Sequence, residues 1–482
     1  MPAQSRPIPN RAIPFAIAAF VCIVYALALA WGLSVAHSNG MSTSELLTAS
    51  GDAQDYVSLA HTILDAQRYA LLPGSPPEFF RAPGYPIFIA GVLAVFNSVF
   101  AVIVIQILLI AGSCVILYKL GEQFFSRGVG IAAALVFALD PTVIFNSLIT
   151  LSESLFVFLL LLAVYMIANR KGGAWRMFLI GLVVGALALT RPVGPFVVPL
   201  FLLYFLWTHR SDSKRSLFAG SLALILGMAL LILPWLVRNE RLSGHFAISS
   251  IPTYNMLFYN VVEYETEIMH VPKEEFIQQL FSELGTSDLG KLRTFEYQEE
   301  ESALVRQYIG PHIPSYAFFH IAKTAPFFIG SSLNDTERTL INLQLIDRAQ
   351  KPAVSISGLV LNGDWRGVFR ILRESPYETG ERILWMLAFV FAAGYVLFAI
   401  MGRHPRVPEV LLFAALVCLL AILVGPIAQT RYRIPAEPFL LLLAFEGVRL
   451  FMHKARELIT RFRARQKLAE SAGAVSIGKE RN

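Results

Sequence analysis

Apolar runs long enough to cross a bilayer recur along this chain, and they decide its class. A stretch of about 17 to 25 apolar residues can span the hydrocarbon as a helix, because a helix pairs its own backbone polar groups where no water is present. The first run is Ile13 to Val35, and others are read near 98–119, 128–145, 152–169, 175–190, 193–208, 216–236, 382–402, 407–427 and 434–451. No segment shows the alternation of a membrane β-barrel strand. With 55% hydrophobic and only 15% charged residues, the expected fold is all-α and polytopic, with about ten transmembrane helices.

Loop charges orient the spans, since cytoplasmic loops carry excess Lys and Arg. Arg6 and Arg11, Lys119 and Arg127, Arg170, Lys171 and Arg176, Arg210, Lys214 and Arg215, Arg403 and Arg406, and the basic stretch Arg449 to Lys467 all fall on one side. That side is expected to be cytoplasmic and to hold both termini. The first run exceeds a signal-peptide core and reads as an uncleaved anchor. The apolar segment Pro83 to Phe96 is short, and a crossing there would reverse the charge pattern of every later loop. It is therefore expected to be a membrane-dipping or juxtamembrane helix.

The resulting organisation is a transmembrane module over 1–236 with its first exterior loop at 36–80, a non-cytoplasmic loop domain over 237–381, C-terminal spans over 382–451 and a basic cytoplasmic tail over 452–482. Between 237 and 379 there are 18 acidic and 13 basic residues, so the excess positive charge lies elsewhere, on the cytoplasmic face. The basic tail helix suits anionic cytoplasmic lipid, and the polar residues after Lys467 read as disordered. No nucleic-acid module and no regular repeat is present. Cys22, Cys114 and Cys418 lie far apart in apolar runs, without disulfide or metal spacing, and are expected to be buried thiols.

Several arginines run against the charge bias. Arg81, Arg191, Arg238, Arg431 and Arg433 each sit at the end of a span on the outward side. Each alone reads first as a snorkelling side chain; five gathered at one level point instead to an anion site, because a guanidinium presents a planar fork to phosphate. Carboxylates stand at the same level. Asp52 and Asp55 in GDAQDY share a helix face if a helix begins there, and read either as an N-cap and first-turn acid or as reacting groups. Glu153 in TLSESLF is either a cap partner of Thr150 or a costly, functional acid at the hydrocarbon edge. Trp235 reads as an interfacial belt residue, and Tyr254, Asn255, Phe258, Tyr259 and Asn260 as pocket or belt residues. His245, His270, His312 and His320 lack ligand spacing.

The series GDAQDY, FRAPGYP, LDPTVIFNSLITLSES, LALTRPVG, LPWLVRNERLSGHF and RYRIPAEPFL resembles the GT-C membrane glycosyltransferases. It is most similar to the bacterial branch related to protein O-mannosyltransferases, aminoarabinose transferases and lipopolysaccharide galacturonosyltransferases. The likeness covers about residues 10–250 and returns at 425–450, and it implies a GT-C fold whose seven-helix module precedes the large exterior loop.

By that resemblance the chain is expected to be an inverting glycosyltransferase. It would move a sugar from a polyprenyl phosphate to a lipid, glycan or protein acceptor on the non-cytoplasmic face of a bacterial inner membrane. Asp52 matches the family's catalytic base and Asp55 the second acid of its motif, where the family often carries Glu. Arg81, Tyr85, Glu153, Arg191, Arg238, Asn255, Arg431 and Arg433 are the candidates for contacting the donor's phosphate or sugar. A lipid phosphate leaves without protonation, so one base and several arginines suffice chemically. Asp52, Asp55 and Glu153 also offer oxygen ligands that would suit Mg²⁺ or Mn²⁺. The alternative is a transporter or lipid-linked sugar flippase, whose charges would line a path through the membrane and whose signs would be broken helices or an inverted repeat.

Overall fold

The computed structural model describes residues 12–169, 172–343, 345–346, 359–360, 363–402 and 406–479. Among them every regular element is a helix. Arg6, Arg11, Arg170, Lys171 and Arg403, used above to orient the chain, lie outside the described residues, as do the side chains beyond Ala464.

Helices long and apolar enough to cross a membrane are Ala12–Ser38, Val99–Phe124, Lys214–Ser243, Pro376–Met401 and Val407–Ile427. Each covers an expected span. Glu153–Ala168, Ala174–Thr190 and Gly194–Thr208 are shorter apolar helices, and they too occupy expected spans. Gly84–Phe96, with 13 residues, is about 20 Å long, shorter than the roughly 30 Å hydrocarbon core.

Two expectations about the helices are corrected. The span read at 128–145 is not one rod: Arg127–Leu139 and Pro141–Ser147 meet at a bend of 60°. Pro141 supplies no N–H to continue the first helix, and Asp140 instead caps the second, its Oδ1 accepting from Thr142 N at 2.7 Å and Val143 N at 3.3 Å. The span read at 434–451 lies in Glu437–Lys479, which continues through the segment expected to be disordered. That segment contains no proline and many good helix formers.

One large core runs through the bundle, including Tyr25, Leu117, Phe156, Leu187, Phe413 and Phe439. Large apolar side chains such as Leu27, Leu226, Leu230 and Leu397 are exposed around it, as suits a lipid solvent. Close helix approach is secured at Gly227, where a Cβ would lie 2.1 Å from Phe178 O, the small-residue packing typical of membrane helices. Cys114 is buried and Cys22 partly so, whereas Cys418 is exposed on the bundle surface, contrary to expectation; all three thiols are free.

A second core belongs to the exterior lobe and joins Leu257, Val262, Tyr264, Phe276 and Phe319 with Phe80 of the first exterior loop. Phe80 thus anchors that loop in the lobe, and its neighbour Arg81 is carried to the seam between lobe and bundle.

Candidate active site

Helix Gly51–Ala66 starts at an N-cap, Ser50, whose side chain makes no cap hydrogen bond. Asp52 is therefore a first-turn residue, not the cap, and Asp55 follows three residues on along the same face. The helix rests on Gly84–Phe96 through Ala60, Ile89, Leu93 and the Tyr56–Tyr85 edge contact at 5.0 Å.

Arg81 is fixed by its own loop. The Glu78 carboxylate accepts from Phe80 N at 2.5 Å and Arg81 N at 3.2 Å, while the Tyr69 hydroxyl donates to Arg81 O at 2.9 Å. Three residues further, Gly84 presses on the end of helix Ala174–Thr190, where a Cβ would lie 2.6 Å from Leu189 C and 2.7 Å from Thr190 N. No side chain fits there. The glycine in FRAPGYP thereby brings the Arg81 loop against the helix end that precedes Arg191.

A continuous charge network results. Arg81 donates to Asp52 Oδ1 at 2.7 Å and to Asp55 Oδ2 at 2.8 Å and 3.0 Å. The second Asp52 oxygen pairs with Arg431 Nη2 at 3.0 Å. Arg431 Nε also binds Glu153 Oε1, which takes Arg191 Nη2 at 2.9 Å. The Thr150 hydroxyl meanwhile donates to Leu47 O, so the cap alternative for Glu153 does not hold. Burial pushes the Asp52 carboxyl upward, but Arg431 and Arg81 outweigh it and hold it below the usual carboxylate range. Burial likewise opposes the charge on Arg431, and Glu153 and Asp52 overcome it.

The network borders a cavity of ≈ 910 Å³ between bundle and lobe. Asp52, Tyr56, Arg81, Arg191 and Arg431 line its bundle side, and Asn255, Tyr259 and Asn260 line it from the lobe. Asp55 and Glu153 are not part of that lining. Asp52 has 31% of its side chain exposed against 25% for Asp55 and 2% for Glu153, and of the three it is the one in the cavity lining.

Three sequence candidates sit elsewhere. Tyr85 is buried, with its hydroxyl on Gln106. Arg238 stacks on Trp235 at 4.6 Å and donates to Glu78 O at 3.0 Å and Tyr69 O at 3.2 Å, bracing the Arg81 loop. Trp235 is accordingly packed against Arg238 and hydrogen-bonded to Ile248 O at 2.7 Å in place of a simple belt position. Arg433 is fully buried with Glu437 at 2.8 Å, Ser332 Oγ at 2.9 Å and Gly330 O at 3.0 Å, under the Trp385 ring.

The cavity also contains residues that the sequence reading passed over: Glu263, Glu267, Lys273, Arg293, Lys323 and Arg338. Lys323 alone carried a signal, as a single cation within AFFHIAKTAPFF, and it is buried on Glu267 at 2.5 Å. His320 lines the cavity with both ring nitrogens engaged, on the Tyr316 hydroxyl at 3.2 Å and Ile422 O at 2.8 Å.

The carboxylates named as possible metal ligands are paired with arginines. Both Asp52 oxygens are held by guanidinium groups, and among the described residues no three His, Cys, Asp or Glu side chains cluster as a metal site would. The arrangement offers instead an accessible ionised carboxylate beside fixed cations, suited to taking a proton next to developing negative charge.

The family model for dolichyl-phosphate-mannose-protein mannosyltransferase matches residues 80–237 of this chain. Asp52, Asp55 and Arg431 lie outside that stretch; Arg81 and Arg191 lie inside it. No curated protein matches the chain in sequence. Among solved structures, the apo form of the Archaeoglobus fulgidus oligosaccharyltransferase is 13% identical, with 94% of this chain and 52% of that one covered and a TM-score of 0.47. ArnT from Cupriavidus metallidurans bound to undecaprenyl phosphate is 15% identical, with 91% and 77% covered and a TM-score of 0.36. This chain thus spans about half the length of the oligosaccharyltransferase it resembles.

Proposed function

We propose, from the match of residues 80–237 to the dolichyl-phosphate-mannose-protein mannosyltransferase model and from the site geometry, that this chain is an inverting glycosyltransferase of the GT-C kind. It moves a sugar from a polyprenyl phosphate to a lipid, glycan or protein acceptor on the non-cytoplasmic side of a bacterial inner membrane, with both termini cytoplasmic. The observation that carries this reading is Asp52, the one carboxylate of the network open to the cavity and held ionised between Arg81 and Arg431.

Asp52 takes the proton of an acceptor hydroxyl as that oxygen bonds to the anomeric carbon from the face opposite the phosphate. The bond from that carbon to the phosphate oxygen breaks, and its electron pair leaves with the polyprenyl phosphate. Attack from the opposite face inverts the anomeric centre. The departing group is a stable anion, so the site needs positive charge there and no second acid. Asp55 holds Arg81, and through it Asp52, in place. Glu153 does the same for Arg191 and Arg431.

The bend at Asp140 is a broken span of the kind that would favour a transporter. It is sealed, however: Asp140 is buried, satisfied by Thr142 N, Val143 N and Ser332 Oγ, and absent from the cavity wall. A path for a transported solute would run along that break.

The test is to incubate purified wild type and Asp52→Asn with radiolabelled polyprenyl-phosphate sugars and a membrane extract. Wild type should pass label to an acceptor and the variant should not. Absence of transfer from every donor by wild type would remove the transferase reading, and equal transfer by the variant would remove Asp52 from the chemistry.

A further inference from the structure

The cations that line the cavity differ in how far their charge is already spent. Arg81, Arg191 and Arg431 face Asp52, Asp55 and Glu153, three charges against three. Lys273 is matched by Glu263 at 2.7 Å, and Lys323 by Glu267 at 2.5 Å and Glu263 at 3.8 Å. Arg293 and Arg338 complete the cationic lining, and among the described residues neither has a carboxylate within ion-pair distance. The Nε of Arg293 is buried without a hydrogen-bond partner. Among the described residues, an anion entering the cavity thus meets a neutral network on the bundle side and uncompensated positive charge at these two arginines.

Both line the same cavity as Asp52. The Arg293 guanidinium carbon lies 5.1 Å from the centre of the Phe80 ring, and that of Arg81 lies 5.2 Å from the same ring. The two guanidinium groups can be no further apart than those distances together. Arg293 is steadied by Tyr254 at 5.9 Å. Arg338 stands on helix Ser332–Asn342, one turn beyond Asp335, whose Oδ2 accepts from Thr430 N at 3.2 Å and Thr430 Oγ1 at 2.7 Å. Thr430 precedes Arg431, so the helix carrying Arg338 is tied next to Arg431, while Arg293 shares the Phe80 ring with Arg81.

We infer that Arg293 and Arg338 bind the phosphate of the lipid-linked donor, leaving the bundle arginines to hold and orient the base. The inference rests on the proposed reaction for the identity of the ligand, and on charge matching alone for the residues. A guanidinium without a carboxylate keeps donors for phosphate oxygens, Arg293 sharing one with the Tyr254 hydroxyl, and the exterior lobe thereby completes the donor site.

Equilibrium binding of radiolabelled polyprenyl phosphate to the full chain in phosphatidylcholine nanodiscs tests this. Arg293→Ala and Arg338→Ala should each weaken binding about tenfold or more, as expected for losing hydrogen bonds to a charged group. Arg293→Lys should restore part of the loss, and Arg306→Ala, in the lobe but outside the cavity lining, should bind as wild type does. A thermal melt of each variant separates lost binding from lost folding. Wild-type affinity in both folded alanine variants overturns the inference and leaves the proposed reaction standing. No binding of polyprenyl phosphate by wild type overturns the proposed donor itself. Displacement of the lipid by inorganic phosphate at equal concentration assigns the pair to free phosphate and also overturns it.

Discussion

Two charge networks meet at helix Thr430–Arg433, one open to the cavity through Arg431 and one sealed in the bundle through Arg433. Arg431 holds Asp52 and Glu153 at the cavity wall. Arg433, two residues away, has no exposed side-chain surface and ties Glu437, Ser332 and Gly330 together beneath Trp385. Both are arginines ending the same exterior connection, and both are paired with carboxylates. They differ in whether anything but protein can approach. A buried ion pair contributes little net stability but is costly to break, because the remaining charge has no water. A pair at a cavity wall keeps its charges available to a ligand. The first kind of network locks the lobe to the bundle, and the second is equipped for chemistry.

The comparison predicts opposite responses to mutation, and the largest effect belongs to the open network. Asp52→Asn removes the proposed base and should lower transfer by roughly 10²–10⁴-fold, the usual contribution of a general base, while shifting the melting temperature little. Because Arg431 and Arg81 hold its folded pKa below the ordinary value, Asp52 stabilises the fold above the ordinary carboxylate pKa and loses that contribution only as pH falls through the depressed one. Wild-type transfer should accordingly show no acid limb in the ordinary carboxylate range. A melt that collapses with Asp52→Asn would make the two networks alike.

Arg433→Ala should do the reverse, costing about 3–5 kcal/mol of stability by leaving Glu437 buried without its partner. The readout is the yield and melting temperature of purified protein, with activity per folded molecule largely kept. An Arg433→Ala protein that melts as wild type does and has lost transfer would move Arg433 into the site.

A smaller effect is expected at Arg238, which touches neither network yet braces the loop that carries Arg81. Arg238→Ala removes two hydrogen bonds to backbone carbonyls and should cost about 1.5–3 kcal/mol, the range for hydrogen bonds to a charged group. Its signature is a fall in transfer that added donor does not rescue, because Arg81 and Asp52 lose their alignment while the donor's phosphate contacts survive. Kinetics at saturating donor check this, and full recovery there would make Arg238 a donor contact after all.

How far the site could be read from the sequence follows from the same geometry. The apolar runs gave the spans because lipid forces backbone pairing within each run, and GDAQDY was read correctly as a helix start. Arg81, Arg191 and Arg431 stood out because each defies the charge bias beside a span. Arg238 and Arg433 stood out for the same reason and face elsewhere, since position along a span end says nothing about the direction a side chain takes around the helix. The bend at Asp140 was hidden because hydropathy is blind to a proline that divides an otherwise apolar run. Arg293 and Arg338 were illegible for another reason: both lie in a polar lobe where charged residues are ordinary, and only the folded contacts show that their charge is unmatched.

A third buried carboxylate sharpens the comparison by lacking any arginine. Glu301, on helix Gln298–Ile309 of the lobe, is 1% exposed and its Oε1 has no hydrogen-bond partner. Burial, reinforced by Glu300, pushes its carboxyl up to about 8, whereas Asp52 between two guanidinium groups is pushed down. The sign of its effect on stability follows. The folded protein binds this proton more tightly than the unfolded chain, so the contribution is full below the ordinary carboxylate pKa and is lost as pH rises toward and through about 8. Glu301→Gln removes the ionisation, so the melting temperature of the variant should exceed that of wild type above pH 8 and the difference should shrink toward pH 5. Melts across that range measure it. The gain should be the smallest of these effects, because the lobe meets water and can relax around a charge. A wild-type melt as flat with pH as that of the variant would show that Glu301 finds a partner when ionised, and that burial without an arginine is not enough to hold a proton in this molecule.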